Sequence, residues 1–175
     1  TLANAILNEI LLLDIFKDVK VGNYDELLNK GLINIIGQDC FDAYMKSTKK
    51  RSLYEEERKL NVIYTPLHGA GRKCVTTILK ECGFNNVKIV KEQEYPDGNF
   101  PTCPYPNPEI HEALKLGIDM LIRENADVLV ATDPDSDRCG VVVNAKGNPR
   151  ILTGTEVGLL LFDAVYHARK ENGTL

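Results

Sequence analysis

The spacing of apolar and polar residues changes character near residue 60. Before that point apolar residues recur every three or four positions, which is the period of a helix. Three helices are predicted there, over Leu2–Leu13, Tyr24–Lys30 and Asp39–Lys49. The charge-rich stretch 49–59 is predicted to be a solvated helix end or a linker. The first third of the chain is therefore expected to be helical.

From Asn61 onward, short β-branched runs alternate with segments of helical period. The runs predict four strands, at Asn61–Thr65, Val87–Lys91, Asp127–Ala131 and Cys139–Asn144. Between them, helices are predicted over Lys73–Cys82 and from Pro108, with Asn107 as the N-cap of the second. A last helix is predicted over Glu156–Lys170.

This order of elements predicts an α/β fold. We expect a three-layer domain with a mostly parallel four-stranded sheet, one antiparallel strand and helices on both faces. The third and fourth strands are too close in sequence for a helical crossover, so that pair is predicted to be antiparallel. The loops at 65–72, 92–107 and 132–138 follow parallel strands, and such loops share the edge of the sheet where ligands bind.

Three aspartates stand at alternate positions directly after the third strand: Asp133, Asp135 and Asp137. Two like charges about 4 Å apart repel by roughly 4 kcal/mol at an effective dielectric of about 20, so this crowding is costly without a cation. Carboxylate oxygens are hard ligands that suit Mg²⁺, and Mg²⁺ often takes a further ligand from a phosphate. The sequence therefore predicts a Mg²⁺ site and phosphate chemistry.

On the residues alone, the three aspartates could serve a different purpose. A calcium-binding EF-hand loop is excluded, because Arg138 and Asn144 stand where that motif requires glycine and glutamate. A metal-dependent phosphatase of the haloacid dehalogenase type would use Asp133 as its nucleophile. The loop could also be a solvated acidic turn without a ligand, or part of a non-catalytic binding module that a metal stabilises.

A second candidate loop, Pro66–Lys73, carries two glycines between a strand and a helix. Backbone N–H groups at a helix N-terminus can receive phosphate oxygens, and a tight structural turn is the alternative. His68 alone is expected to hold this loop by hydrogen bonds rather than to act as an acid or base. Arg72 could contact a ligand of this loop or be a charge on the protein surface.

Composition narrows the classes of function. The 175 residues are 43% hydrophobic and 26% charged, which is enough for one well-buried domain. The net charge of −4 argues against nucleic acid or an acidic membrane as a partner, and no apolar run approaches the roughly 20 residues that span a bilayer. Scattered cysteines, odd in number, favour free thiols in a reducing, cytoplasmic setting. They are Cys40, Cys74, Cys82, Cys103 and Cys139.

Four segments occur in a specific order: Tyr64–Gly71, Asp97–Thr102, Pro106–Glu109 and Thr132–Arg138. Together they closely resemble the α-D-phosphohexomutase family, which comprises the phosphoglucomutases and phosphomannomutases. The last segment is specific by itself, and the ordered set is highly specific. The resemblance implies that 1–59 is the helical end of a first domain with its connecting segment, that 60–150 is the α/β metal-binding second domain, and that 151–175 opens a third.

The resemblance also implies roles for individual residues. The ligands of Mg²⁺ would be Asp133, Asp135 and Asp137, with a phosphoserine oxygen from the first domain as the fourth ligand. Arg138 matches the family arginine on the substrate side of the metal loop. His68 and Gly69 would line the same edge and contact substrate or phosphate.

The implied reaction interconverts hexose 1-phosphate and hexose 6-phosphate through a phosphoserine enzyme and a bisphosphate intermediate. Its partners would be the sugar phosphate and the remaining domains of the same polypeptide. The family's serine loop, sugar-discriminating loop and phosphate-gripping loop do not occur in this sequence. We therefore predict that the chain is part of a longer phosphohexomutase and has no mutase activity alone.

Overall fold

A computed structural model of the chain describes residues 1–53 and 58–174. These residues fall into two compact units, Thr1–Phe41 and Asp42–Leu175. Residues 54–57, which belong to the predicted solvated stretch 49–59, lie outside the described residues.

Two short helices form most of the regular structure in the first unit. Helix α1 (Leu2–Leu11) begins after Thr1, whose hydroxyl accepts a hydrogen bond from the Asn4 backbone N–H. Helix α2 (Tyr24–Asn29) begins after Asn23, which caps it in the same way. Both predicted helices are confirmed, each ending slightly earlier than expected. The apolar residues of α1 are exposed, so its helical period does not mark a core within this unit.

The predicted third helix is also confirmed, as α3 (Gln38–Lys49), which buries Met45. The described residues of the second unit then form five strands. They are β1 (Arg58–Thr65), β2 (Phe84–Ile89), β3 (Val128–Thr132), β4 (Cys139–Ala145) and β5 (Asn148–Leu152). Their order in the sheet is β2-β1-β3-β4-β5. Strand β1 runs parallel to β2 and β3, whereas β4 runs antiparallel to β3 and β5. The α/β class and the predicted antiparallel pair are confirmed.

The fifth strand corrects the expectation of a four-stranded sheet, whereas the single antiparallel strand is confirmed, because β4 runs opposite to both β3 and β5. It is joined to β4 by a two-residue turn at Lys146 and Gly147, whose φ angles are 53° and 87°. Two consecutive positive φ angles are typical of the tight turn that joins antiparallel strands. Pro149 lies within β5 and cannot donate a backbone hydrogen bond, which an edge strand tolerates. This strand was not predicted, because its apolar run is short and because a proline within a run argues against a strand.

Helices cover both faces of the sheet, as expected. Helix α4 (Arg72–Glu81) connects β1 to its neighbour β2. Helix α5 (His111–Arg123) then connects β2 to β3, which is the neighbour of β1 in the opposite direction along the sheet. Right-handed connections in opposite directions along a sheet place their helices on opposite faces. The main core lies under α5, where Leu114 and Leu121 pack with Ile63 of β1 and with other buried residues of the sheet.

Several predicted boundaries shift in the structure: β1 begins at Arg58 rather than at Asn61, and β2 begins at Phe84 rather than at Val87. Strand β2 ends at Ile89, because Lys91–Gln93 turns into a short 3₁₀ helix. Helix α5 begins at His111 rather than at Pro108. Asn107 does act as a cap, but of a preceding turn: its Oδ1 accepts from the Glu109 N–H at 3.0 Å and its carbonyl accepts from the Ile110 N–H at 3.0 Å.

The last helix, α6 (Gly154–Glu171), begins with a reciprocal cap between Thr153 and Glu156. The Thr153 hydroxyl accepts from the Glu156 N–H, and the Glu156 carboxylate accepts from the Thr153 N–H. The helix is slightly longer at each end than the pattern predicted. In the part of the chain that is described, no helix has the length and apolar character needed to cross a bilayer.

Candidate metal centre

The three aspartates lie in the connection between β3 and β4. Strand β3 ends at Thr132, which pairs with Cys139 at the start of β4, so the loop 133–138 closes a hairpin. Ser136 adopts a left-handed φ of 62°, and its N–H donates to the Asp133 carbonyl at 3.1 Å. This turn folds the loop back on itself and brings alternate side chains toward one point.

The structure brings Asp133, Asp135 and Asp137 together. Each can offer one carboxylate oxygen such that all three oxygens lie within 4.8 Å of one another. Asp133 is fully buried, whereas Asp135 and Asp137 are exposed. The group is therefore open to solvent on one side and closed by protein on the other.

Arg138 holds the buried aspartate. Its backbone N–H donates to Asp133 Oδ1 at 3.0 Å, and its guanidinium Nε donates to Asp133 Oδ2 at 2.8 Å. Burial raises the pKa of Asp133, but the two hydrogen bonds and the positive charge of Arg138 outweigh it, so that the pKa lies below its ordinary value. Asp133 is therefore kept ionised inside the protein.

Asp137 has the opposite environment. The negative charge of Asp135, followed by the hydrogen-bonded carboxylate of Asp133, raises the pKa of Asp137 above its ordinary value. The raised pKa of Asp137 reflects the crowding of three negative charges in one small volume. A cation among them would relieve this repulsion.

The donor set suits a small divalent metal. Mg²⁺ binds oxygen at about 2.0–2.1 Å, so ligands on opposite sides of it lie about 4.2 Å apart; for Ca²⁺, at about 2.3–2.6 Å, the separation is about 5 Å. Oxygens already within 4.8 Å of one another reach either geometry through small side-chain rotations. The oxygen-only chemistry of the group favours Mg²⁺, Mn²⁺ or Ca²⁺ over metals that prefer nitrogen or sulfur.

The glycine-bearing loop 66–71 contacts the back of the aspartate loop. The Ala70 N–H donates to the Pro134 carbonyl at 2.8 Å. A Cβ atom on Gly69 would lie 2.3 Å from Pro134 Cα, and one on Gly71 would lie 2.3 Å from Ser136 Oγ. Replacement of Gly69 would displace the backbone of the aspartate loop, and replacement of Gly71 would force the Ser136 side chain to move. The expectation that the loops after β1 and β3 share one edge is confirmed.

His68 lies in the same loop but is only 5% exposed. Its Nε2 forms a hydrogen bond of 2.9 Å with the hydroxyl of Thr102, and its backbone N–H donates to the Gln93 carbonyl at 3.1 Å. These contacts agree with the expectation that His68 holds its loop by hydrogen bonds. That His68 and Gly69 contact substrate or phosphate stays a prediction.

Arg138 is the cation that lies against the aspartates, and it is accessible from solvent. Its side chain is 54% exposed, and besides Asp133 it approaches Asp137, with Nε 3.7 Å from Oδ1. A guanidinium in this position can donate its remaining N–H groups to an anion bound beside the aspartates while Nε stays on Asp133.

Sequence reasoning missed Gln93. It is fully buried and joins the loop after β1 to the irregular segment after β2: its Oε1 accepts from the Thr65 hydroxyl at 2.7 Å, and its Nε2 donates to Thr102 at 3.1 Å. A glutamine in a charged segment carries no periodic signal that would mark it as buried. Its partner Thr102 stands at the end of a motif, which gives no sign of this contact either.

Comparison with known proteins decides the family. Residues 42–147 match the family model described as phosphoglucomutase/phosphomannomutase, alpha/beta/alpha domain II. The chain belongs to the phosphoglucomutase/phosphomannomutase family. The match includes all three aspartates of the loop and the glycine-bearing loop 66–71. Its description also agrees with the three-layer arrangement of the second unit.

Relatives of this chain are much longer than it is. A phosphoglucomutase of Staphylococcus saprophyticus is 33% identical over 158 residues, which make up 90% of this chain and 29% of that protein. A phosphoribomutase of Saccharomyces cerevisiae is 35% identical over 166 residues, or 86% of this chain and 26% of that protein. The solved structure of a phosphoglucomutase/phosphomannomutase family protein from Burkholderia thailandensis superposes with a TM-score of 0.52 and 27% identity, over 63% of this chain and 22% of that one. The chain spans less than a third of each.

Proposed function

We propose that this chain carries the divalent-metal centre of a longer phosphohexomutase that interconverts hexose 1-phosphate and hexose 6-phosphate. The observation that carries the proposal is the gathering of three carboxylates at the end of β3, within residues matched to domain II of the family. A phosphoserine enzyme and a bisphosphate intermediate, which the resemblance implies, belong to the same proposal. The phosphoserine and the sugar-binding residues would come from other domains of that polypeptide.

In this proposal Asp133, Asp135 and Asp137 hold Mg²⁺. The bound ion would supply positive charge beside the phosphoryl group as it moves between serine and sugar. Asp133 is ready for this role because Arg138 keeps it ionised. Asp135 and Asp137 face solvent and can adjust their oxygens around the ion.

Arg138 would act on the phosphoryl group itself. Its guanidinium is half exposed beside the aspartates, and the planar group can offer donors to phosphate oxygens while Nε stays on Asp133. The charge that develops on the transferring group would be stabilised by these donors. Arg138 is thus the catalytic residue that we assign to this chain.

Two alternatives have less support. A phosphatase with Asp133 as nucleophile would leave the match to the phosphoglucomutase/phosphomannomutase family model unexplained. A non-catalytic binding module would leave the membership of an enzyme family unexplained. We also propose a cytoplasmic location, because the five scattered cysteines suit a reducing compartment.

The proposal is tested by a coupled mutase assay on the longer polypeptide that contains these residues, in the presence of Mg²⁺. Glucose 1-phosphate, mannose 1-phosphate and ribose 1-phosphate are compared, since the relatives' names cover hexoses and a pentose. We expect turnover in the wild type and its loss in Asp135→Ala, while Asp119→Ala, an exposed aspartate of α5, retains activity. The 175-residue chain alone is expected to give none. Full activity in Asp135→Ala, or phosphate release from an aryl ester in place of mutase turnover, would overturn the proposal.

A further inference from the structure

The turn that supports the aspartate loop has an unfavourable backbone. Leu67 and His68 have φ angles of 48° and 62°, so two consecutive residues with side chains occupy the left-handed region. This region costs roughly 1–2 kcal/mol for each residue other than glycine. Such a turn persists only where surrounding contacts fix it, and strained segments of this kind are concentrated at functional sites.

A buried polar network fixes this turn. The Thr65 hydroxyl receives the Leu67 N–H at 3.2 Å and donates to Gln93 Oε1 at 2.7 Å. Gln93 Nε2 in turn donates to Thr102 Oγ1, which also bonds His68 Nε2 at 2.9 Å. The hydroxyl of Thr102 is therefore the point where the irregular segment after β2 holds both the histidine and the glutamine.

The residues that directly follow the strained turn contact the aspartate loop. Directly after His68, Gly69 packs against Pro134 and the Ala70 N–H donates to the Pro134 carbonyl. That carbonyl belongs to the peptide unit joining Pro134 to Asp135. Because the peptide unit is planar, its orientation fixes the positions of the Asp135 N and Cα atoms, from which the side chain extends. A continuous series of contacts thus runs from Thr102 through His68 to Asp135.

We propose that Thr102 is a positioning residue for the aspartate loop, acting through His68 and the turn at 67–70. The inference rests on the proposed metal function, which it deepens. Thr102 fixes the register of Ala70 against Pro134 and thereby holds Asp135 at the distance from Asp133 and Asp137 that one ion requires. Groups bonded directly to metal ligands typically change metal affinity by about 10–100-fold when removed, and Thr102, which acts through the turn, is expected at the lower end of that range.

Three substitutions in the 175-residue chain separate this role from general stability. Thr102→Val keeps the shape of the side chain but removes the hydroxyl. Thr102→Ala removes the hydroxyl and leaves a smaller side chain, whereas Thr102→Ser retains the hydroxyl. Asn144→Ala is the matched control. It removes side-chain hydrogen bonds to the Ala126 carbonyl and the Gly147 N–H at the opposite end of β3 and β4.

Two measurements are made on each variant. The first, without metal, is amide hydrogen exchange at Ala70 together with the amide chemical shifts of Asp135 and Ser136. The second is Mn²⁺ affinity, measured by electron paramagnetic resonance. We expect faster exchange at Ala70, shifted amides and an affinity about tenfold lower in Thr102→Val and Thr102→Ala. Thr102→Ser and Asn144→Ala are expected to resemble the wild type in all three readouts.

The two proposals fail in different ways. Unchanged Ala70 exchange and unchanged Asp135 shifts in folded Thr102→Ala would overturn the positioning role, whatever the metal result. Equal effects in Asn144→Ala would also overturn it, because they would show a loss of stability rather than of position. A wild-type chain that binds no Mn²⁺, yet loses Ala70 protection in Thr102→Val, would instead contradict the metal function and leave the mechanical link supported.

Discussion

Arg138 occupies both carboxylate oxygens of Asp133, one through its backbone N–H at 3.0 Å and the other through its guanidinium at 2.8 Å. The same residue therefore stabilises the ionised form of a buried aspartate and competes with any cation for its oxygens. The backbone contact is independent of the side chain. A substitution at Arg138 consequently removes only the competing charge and one of the two hydrogen bonds.

We expect Arg138→Met to bind Mn²⁺ several-fold more tightly than the wild-type chain. The substitution removes a positive charge that repels the ion and frees Asp133 Oδ2, while the backbone N–H still orients Oδ1. In the longer polypeptide the same variant should lose mutase turnover, since the donors to the phosphoryl group are gone. Weaker Mn²⁺ binding by Arg138→Met would show that the arginine assembles the site rather than competes with the ion.

Asp135→Asn is expected to have opposite effects on stability with and without metal. Because the charge of Asp135 raises the pKa of Asp137, its removal relieves repulsion and should raise the melting temperature of the metal-free chain. The variant should also lose the rise in melting temperature that Mg²⁺ gives the wild type. Thermal unfolding with Mg²⁺ and with a chelator measures both. The control Asp119→Asn, on α5, should keep the response to Mg²⁺; an unchanged response in Asp135→Asn would contradict the ligand assignment.

Gly71→Ala tests the close packing between the two loops. Gly71 has helical backbone angles that alanine adopts freely. Any destabilisation of the variant therefore comes from steric clashes of the added Cβ atom. Its Cβ would lie 2.3 Å from Ser136 Oγ and 2.8 Å from Tyr64 Oη, which we expect to cost about 1–3 kcal/mol in unfolding free energy. At Gly98 an added Cβ would meet no atom within 4 Å beyond its chain neighbours. The unfolding free energy of Gly98→Ala, measured in urea, should therefore stay within about 0.5 kcal/mol of the wild-type value. Equal values for the two variants would refute the tight contact.

Glu94 gives the fold a dependence on pH. Hydrogen bonds from Lys91 and Arg72 lower the pKa of this carboxyl, whose side chain is 3% exposed. A lowered pKa in the folded state stabilises the protein above the unfolded pKa of about 4.3, and this stabilisation is lost as the pH falls through the folded value. Glu94→Gln should therefore be less stable than wild type near neutral pH, with the difference shrinking at an acidic pH below the unfolded pKa. Urea unfolding at both pH values measures this, with the exposed Glu92→Gln as control; a difference that persists in acid would contradict the ionic origin.

Much of the fold follows from the sequence for plain physical reasons. Buried β-branched runs separated by helical periods leave few arrangements except a parallel sheet covered on both faces. The short connection between β3 and β4 permits only an antiparallel pair. The cluster of Asp133, Asp135 and Asp137 was also predicted, because alternate carboxylates after a buried strand favour a shared cation.

Features that the sequence does not predict depend on contacts between residues distant along the chain. Strand β5 forms because the turn at Lys146 and Gly147 returns the chain to β4, and this pair is not the asparagine–glycine pair that marks such turns most clearly. The role of Gln93 depends on Thr65 and Thr102, which approach it only in the folded chain. The boundaries predicted at 59/60 and 150/151 between domains stay predictions.

The claim that the three aspartates form a divalent-metal site is tested most directly by Mn²⁺ binding to the 175-residue chain. Binding is measured by electron paramagnetic resonance, with Mg²⁺ as the competitor. We expect saturable binding of Mn²⁺ that Mg²⁺ displaces, loss of this binding in Asp135→Asn and its retention in Asp119→Asn. Equal binding by the wild type and Asp135→Asn, or no binding by the folded wild type at millimolar Mn²⁺, would contradict the claim.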